Sequence, residues 1–168
     1  MAGTNRASVR TGSDRHPRAA EVERERERRR AEAAAQKAQD EARRVRTARC
    51  LWSNKKPLAG TLGARYLARR GITEPNEGWP DCLAFLPAAD VTFEDRTTEG
   101  QDVWRTIPCG GALIVAATDA DGLIQGVQRI FVDVEGRNIR DSRDGKVKIT
   151  NGVLLGNGAV VRLPRRVR

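Results

Sequence analysis

From Ala19 to Trp52 the chain runs without a single glycine or proline. Alanine, glutamate, arginine and glutamine dominate this run, and all four are strong helix formers. Pairs such as Glu25 and Arg29 have the spacing and the order that support a helix at i,i+4. The sequence therefore predicts one long helix over 19–52. Its apolar stripe is thin: Ala31, Ala35, Ala38, Ala42, Val45, Ala48 and Trp52. Alanine buries little area, so the helix is expected to be exposed and to dock only near its end, through Val45, Leu51 and Trp52. A coiled coil would require larger residues at the seam positions.

Around this helix, 1–18 reads as a disordered basic tail, 53–164 as a folded domain and 165–168 as a second basic tail. Charged residues make up 32% of the 168-residue chain and aromatics only 4%, so the core must be small and largely aliphatic. No stretch has the apolar length of a membrane span, and the start lacks the apolar region of a secretory signal. The expectation is a cytoplasmic, nucleoid-associated protein.

The net charge of +9 sits at the two ends. Residues 1–49 carry +6, residues 50–161 carry −1, and the last seven residues carry +4. Basic ends suit contact with phosphate through counterion release.

The folded part is well punctuated. Thr61 can cap a helix running through Tyr66 and Leu67, which Gly71 can close in a left-handed conformation. Cys82 to Leu86 reads as a short strand ended by Pro87. Residues 88–107 read as a polar loop or hairpin with Trp104 as an anchor. Ala112 to Thr118 is a buried strand, Asp119-Ala120-Asp121-Gly122 a turn, and Leu123 to Val134 the next strand. A glycine turn at 135–137 leads to a basic stretch, and further strand signal begins at Gly152. The fold class is α+β: a small, mostly antiparallel sheet with a short packed helix, preceded by the long exposed helix.

Few residues here can carry catalysis. Cys50, Cys82 and Cys109 lie far apart without a CxxC pair, and the only histidine, His16, lies in the tail. That pattern argues against zinc and against a disulfide framework. Asp119 and Asp121 have the spacing of a Mg²⁺ pair, but the β-branched and aromatic residues that follow read as a strand, not a helix. The pair is read as a hairpin turn, with no metal site. The remaining cluster is basic: Arg129, Arg137, Arg140, Arg143, Lys146 and Lys148, diluted by Asp133, Glu135, Asp141 and Asp144. Phosphate contact is the chemistry that such a cluster offers.

The order of the pieces resembles a known family. Trp52 and Pro57 to Thr61 come first, then Tyr66 to Ile72, Leu83 to Phe85, Ala116 to Gly122, Val127 to Arg129, and Gly152 to Leu163. This series resembles the domain of unknown function that precedes the toprim domain in phage, plasmid and integrative-element primases. It is more distantly similar to the N-terminal subdomain of the polymerase core of bacterial replicative primases. The resemblance implies that Arg129 matches the family's strand arginine and that Lys146 or Lys148 matches its lysine, both facing template or nucleotide. It implies binding of single-stranded DNA or an RNA–DNA hybrid, and together with the basic cluster and the basic end it makes Arg129, Arg137, Arg140, Lys146, Lys148 and Arg162 the expected contacts. No cofactor is expected in this chain, with Mg²⁺ belonging to a toprim partner domain. The chain ends at Pro164 to Arg168, where such relatives begin the toprim domain. It is therefore expected to be truncated before the catalytic part and inactive alone, with a toprim or helicase domain supplied by another chain. The alternative is a non-enzymatic scaffold that binds a partner through its N-terminal helix.

Overall fold

The computed structural model describes residues 17–153 and Val161, with side chains from Ala20 onward. It divides into two units, residues 1–39 and 40–168. Of the expected tail at 1–18, residues 1–16 lie outside the described residues and Pro17 and Arg18 belong to a helix; residues 165–168 and Arg162 also lie outside them.

Helix α1 spans Pro17–Ser53, so it starts slightly before the expected position. Within the first unit, every side chain from Ala20 to Gln39 except Glu25 is exposed. Glu25 pairs with Arg28 at 2.9 Å and with Arg29 at 2.8 Å, while Arg28 also reaches Glu32 at 3.6 Å. Each such surface pair contributes only about 0.3–0.5 kcal/mol, so propensity carries this stretch.

The second unit is α+β. Helix α2 spans Leu62–Arg69, and the strands are β1 (Leu83–Leu86), β2 (Asp90–Arg96), β3 (Asp102–Pro108), β4 (Gly111–Thr118), β5 (Ile124–Val132) and β6 (Lys148–Gly152). All pairings are antiparallel. One sheet has the order β1-β4-β5-β6, and the second is the hairpin β2-β3.

Helix α2 has the expected caps. Thr61 Oγ1 accepts from Ala64 N at 3.3 Å. Beyond its last turn, Ile72 N donates to Leu67 O at 3.0 Å, with Gly71 at φ 76° between them.

Strand alternation sorts the four-stranded sheet into two covered faces. On one face, Phe85, Leu113 and Val132 pack with Leu58, Tyr66 and Leu67 of the α2 region. On the other face, Ala116 and Val127 pack with Ala48, Leu51 and Trp52 near the end of α1. On that same face, Ala84, Leu86, Ala112, Ile114 and Phe131 pack with Val91 and Phe93 of the hairpin and with Ile139 and Val147. Cover on both sides explains why β4 reads as an unbroken apolar run instead of an alternating one. Each fully buried large side chain here contributes roughly 1.5–3 kcal/mol.

Four loops share one hydrogen-bonding pattern. In each, the first residue's N–H donates to the carbonyl of the fifth, and the fourth residue's N–H donates back to the carbonyl of the first: 97–101, 119–123, 133–137 and 141–145. The first side chain completes the turn. Asp119 Oδ1 accepts from Asp121 N and Leu123 N, Asp133 Oδ1 from Glu135 N and Arg137 N, and Asp141 Oδ1 from Arg143 N and Gly145 N. Thr97 Oγ1 accepts from Gln101 N. The fourth residue is left-handed, and it is glycine in three of the four turns; in the last it is Asp144, at φ 60°.

Two elements depart from expectation. Among the described residues the sheet ends with Lys148–Gly152, in a stretch expected to be polar and basic, while the apolar run expected from Gly152 onward lies almost wholly outside those described. Trp104 is not an anchor: it is 76% exposed, because it stands opposite the outward-facing Glu94 on a strand exposed along most of its length.

Candidate nucleic-acid interface

The sheet register assigns each expected residue a position. Arg129 is on β5, opposite Ile114 of β4 and Ile149 of β6. It therefore shares a face with Val127 and Phe131, in a row between the one that packs on Ala48 and the one that packs on the hairpin. The side chain is half-buried, and its guanidinium carbon lies 5.2 Å from the centre of the Phe131 ring.

No carboxylate pairs with Arg129 among the described residues, and its Nε is buried without a hydrogen-bond partner. Desolvation pulls its pKa down from the ordinary value, yet a guanidinium keeps its proton. A desolvated cation without a counter-charge is costly to hold.

Asn151 stands opposite Val127 on β6, one row away on the same face, and its Oδ1 is also buried without a partner. Trp79 Nε1 and Asn138 Oδ1 share that condition but belong to other parts of the unit. The face thus presents an unsatisfied donor and an unsatisfied acceptor in adjacent rows.

The other basic residues divide into two groups. Arg137 pairs with Glu135 at 2.9 Å, and Arg140 pairs with Asp144 at 2.7 Å. Both pairs are exposed and contribute about 0–1 kcal/mol each, so either arginine can be drawn off by a phosphate at small cost. Lys146 and Lys148 are exposed, with no carboxylate at ion-pair distance among the described residues, and so is Arg143. Lys148 stands opposite Ile130, which puts it on the other face of the sheet from Arg129. The expected cluster is therefore not one patch.

Asp119 and Asp121 behave as the turn reading requires. Asp119 Oδ2 accepts from Gln125 Nε2 at 2.6 Å, and its other oxygen is occupied by the turn itself. The backbone N–H of Leu123 leads the hydrogen bonds that hold this carboxyl below its ordinary pKa. The chain leaves Asp121 into a strand.

Asp95 is a residue that sequence reasoning missed. It is 3% exposed, the one buried charged side chain among the described residues. Ser142 Oγ donates to it at 2.6 Å, Ser142 N at 2.9 Å and Arg96 N at 2.8 Å, and Arg105 pairs with it at 3.1 Å. These bonds, led by the Ser142 hydroxyl, hold its carboxyl far below the usual carboxylate range. They tie the hairpin to the 141–145 turn, just before Lys146. The inward parity of Asp95 with Val91 and Phe93 was the available signal.

Because the folded pKa of Asp95 is depressed, the stabilisation that its ionised form contributes is complete above the unfolded value of 3.8 and is lost as pH falls below it. An Asp95→Asn variant is expected to melt several degrees lower at pH 7. It should lose less further stability than the parent between about pH 4 and pH 2. Melting curves across pH check this, and parallel acid profiles would contradict it.

No helix among the described residues is long and apolar enough to cross a membrane. One family model, described as a domain of unknown function (DUF7146), matches residues 42–162. No curated protein and no solved structure matches the chain.

Proposed function

The chain belongs to this DUF7146 family, and from that starting point we propose that it is the nucleic-acid-binding part of a toprim-type DNA primase of a mobile element. In this reading it grips single-stranded DNA or an RNA–DNA hybrid by its phosphates and contributes no metal centre of its own. The observation that carries the reading is Arg129: a half-buried guanidinium with no carboxylate partner among the described residues and an unsatisfied Nε. A phosphate oxygen supplies both the missing charge and the missing acceptor, in the forked geometry that arginine favours. Asn151, one row away, adds a side-chain amide to the same face. Bond-making would fall to a toprim partner domain that holds Mg²⁺. The resemblance of the motif order to that of toprim primases suggests the reaction context.

Binding of this kind follows counterion release. A labelled oligodeoxythymidine is expected to bind at about 50 mM salt and to lose at least ten-fold in affinity by about 200 mM, read by fluorescence anisotropy. Binding that ignores salt, or no binding at the lower salt, contradicts the reading.

A further inference from the structure

The outward face of the β2-β3 hairpin carries one large apolar group in polar company. Trp104 is 76% exposed, whereas the other two tryptophans, Trp52 and Trp79, are partly buried. Its neighbours on that face are small or charged. Glu94 stands directly opposite, and the Thr92 and Thr106 hydroxyls meet at 2.8 Å. Beside the ring opens a cleft of about 310 Å³, which Trp104 lines together with Phe93, Glu94, Lys146, Lys148 and Asp141, whose Oδ1 is taken up by its own turn. Both lysines are without a carboxylate partner among the described residues.

An apolar protein partner would ask for a contiguous exposed greasy patch, whereas the apolar groups beside the ring, Phe93, Val147 and Ile149, are buried or partly buried. A single flat ring flanked by unpaired ammonium groups suits a ligand that is itself flat and anionic. We propose that Trp104 is a stacking platform for an unpaired base of single-stranded nucleic acid, with Lys146 and Lys148 holding the adjoining phosphates. Stacking on an exposed indole tolerates any base, because each has a π-face. The lysines add affinity without sequence preference. The Asp95–Ser142 bonds keep the two halves of this cleft in register, since they join the strand before Trp104 to the turn before Lys146. The inference rests on the phosphate-binding reading above and assigns it a base-contacting site.

The test uses the full chain, a labelled oligodeoxythymidine of about a dozen nucleotides and an abasic strand of equal length. Trp104→Ala is expected to weaken binding of the normal strand by roughly 5- to 100-fold. Trp104→Phe should keep most of the affinity. The slope of log affinity against log salt should be unchanged in Trp104→Ala, whereas Lys146→Ala should flatten it by about 0.7. The abasic strand should bind the parent as weakly as the normal strand binds Trp104→Ala. Because the ring is exposed, both tryptophan variants should melt with the parent.

Full affinity in Trp104→Ala, or an equal loss on the abasic strand, would overturn the stacking site and leave the phosphate-binding reading standing. A parent protein that binds neither strand at low salt would overturn both.

Discussion

An Arg129→Met variant is expected to melt at a higher temperature than the parent while binding single-stranded DNA at least ten-fold more weakly. The two effects share one cause. Arg129 holds a charge in a half-buried row of the sheet, where among the described residues no carboxylate answers it and its Nε has no acceptor. Replacing a poorly compensated buried charge with an apolar side chain of similar length is neutral or stabilising. The stacked contact with Phe131 is largely retained, because a thioether also packs well on an aromatic ring. The expected gain is about 1 kcal/mol, or roughly 2–4 °C for a chain of this size. The binding loss follows from removing the group that meets phosphate. Thermal melts and anisotropy on the same preparation measure both. A variant that loses more than about 2 kcal/mol would mean that Arg129 is a structural group.

Gly152→Ala is expected to be among the most damaging single methyl additions in the chain. Gly152 closes β6 at φ 90°, outside the range that an L side chain adopts comfortably. A β-carbon there would meet the Gln125 carbonyl oxygen, lie 2.7 Å from Gly126 Cα and sit 3.0 Å from Ala48 Cβ. The first two are backbone of the paired strand, and Ala48 is fully buried on Ala116 and Val127. None of the three can give way cheaply, so strain and overpacking add. The expected loss is about 3 kcal/mol or more. Gly100→Ala is the control: its φ is 84°, but the nearest atom is a flexible arginine Nε at 3.9 Å. It should lose only the 1–2 kcal/mol or so of a left-handed residue. Denaturant midpoints at unchanged slope separate the two. Equal losses would show that crowding at Gly152 is relieved by movement.

The elements that were legible are those whose local chemistry and burial agree. Thr61, Tyr66, Leu67 and Gly71 announce α2 because cap, apolar face and stop are all present in a short span. Ala112 to Ala117 announces β4 because both faces of that strand are covered. Asp119 to Gly122 reads as a turn because the residues after it are strand formers, and the carboxylate is indeed occupied by its own loop. Strand β6, Lys-Ile-Thr-Asn-Gly, was not legible: it is an edge strand with little apolar content, and the stronger signal lies just beyond it. Trp104 was misread because an aromatic in a polar segment suggests burial, and only the parity of Val91, Phe93 and Asp95 reveals which side of the hairpin faces inward.

The site was legible as a list of cations and not as an arrangement. Sequence cannot show that Arg137 and Arg140 turn to Glu135 and Asp144 within their own turns. Nor does proximity in the chain show that Arg129 and Lys148 stand on opposite faces, which follows only once Ile130 is paired with Lys148.

The shared five-residue turn also shapes how the chain reaches its native state. Pairs such as β2-β3 and β4-β5 join through such a loop, so each can begin to pair at its own turn. Two pairings reach farther: Gly126 of β5 meets Gly152 of β6 across two such turns, and Leu86 of β1 meets Ala112 of β4 across the whole intervening hairpin. Loop-closure entropy rises only logarithmically, about 0.6 kcal/mol per doubling of length. The tip of that hairpin, around Gly100, is therefore where the chain can accept inserted residues most cheaply, and where length can vary without the central sheet registering the change.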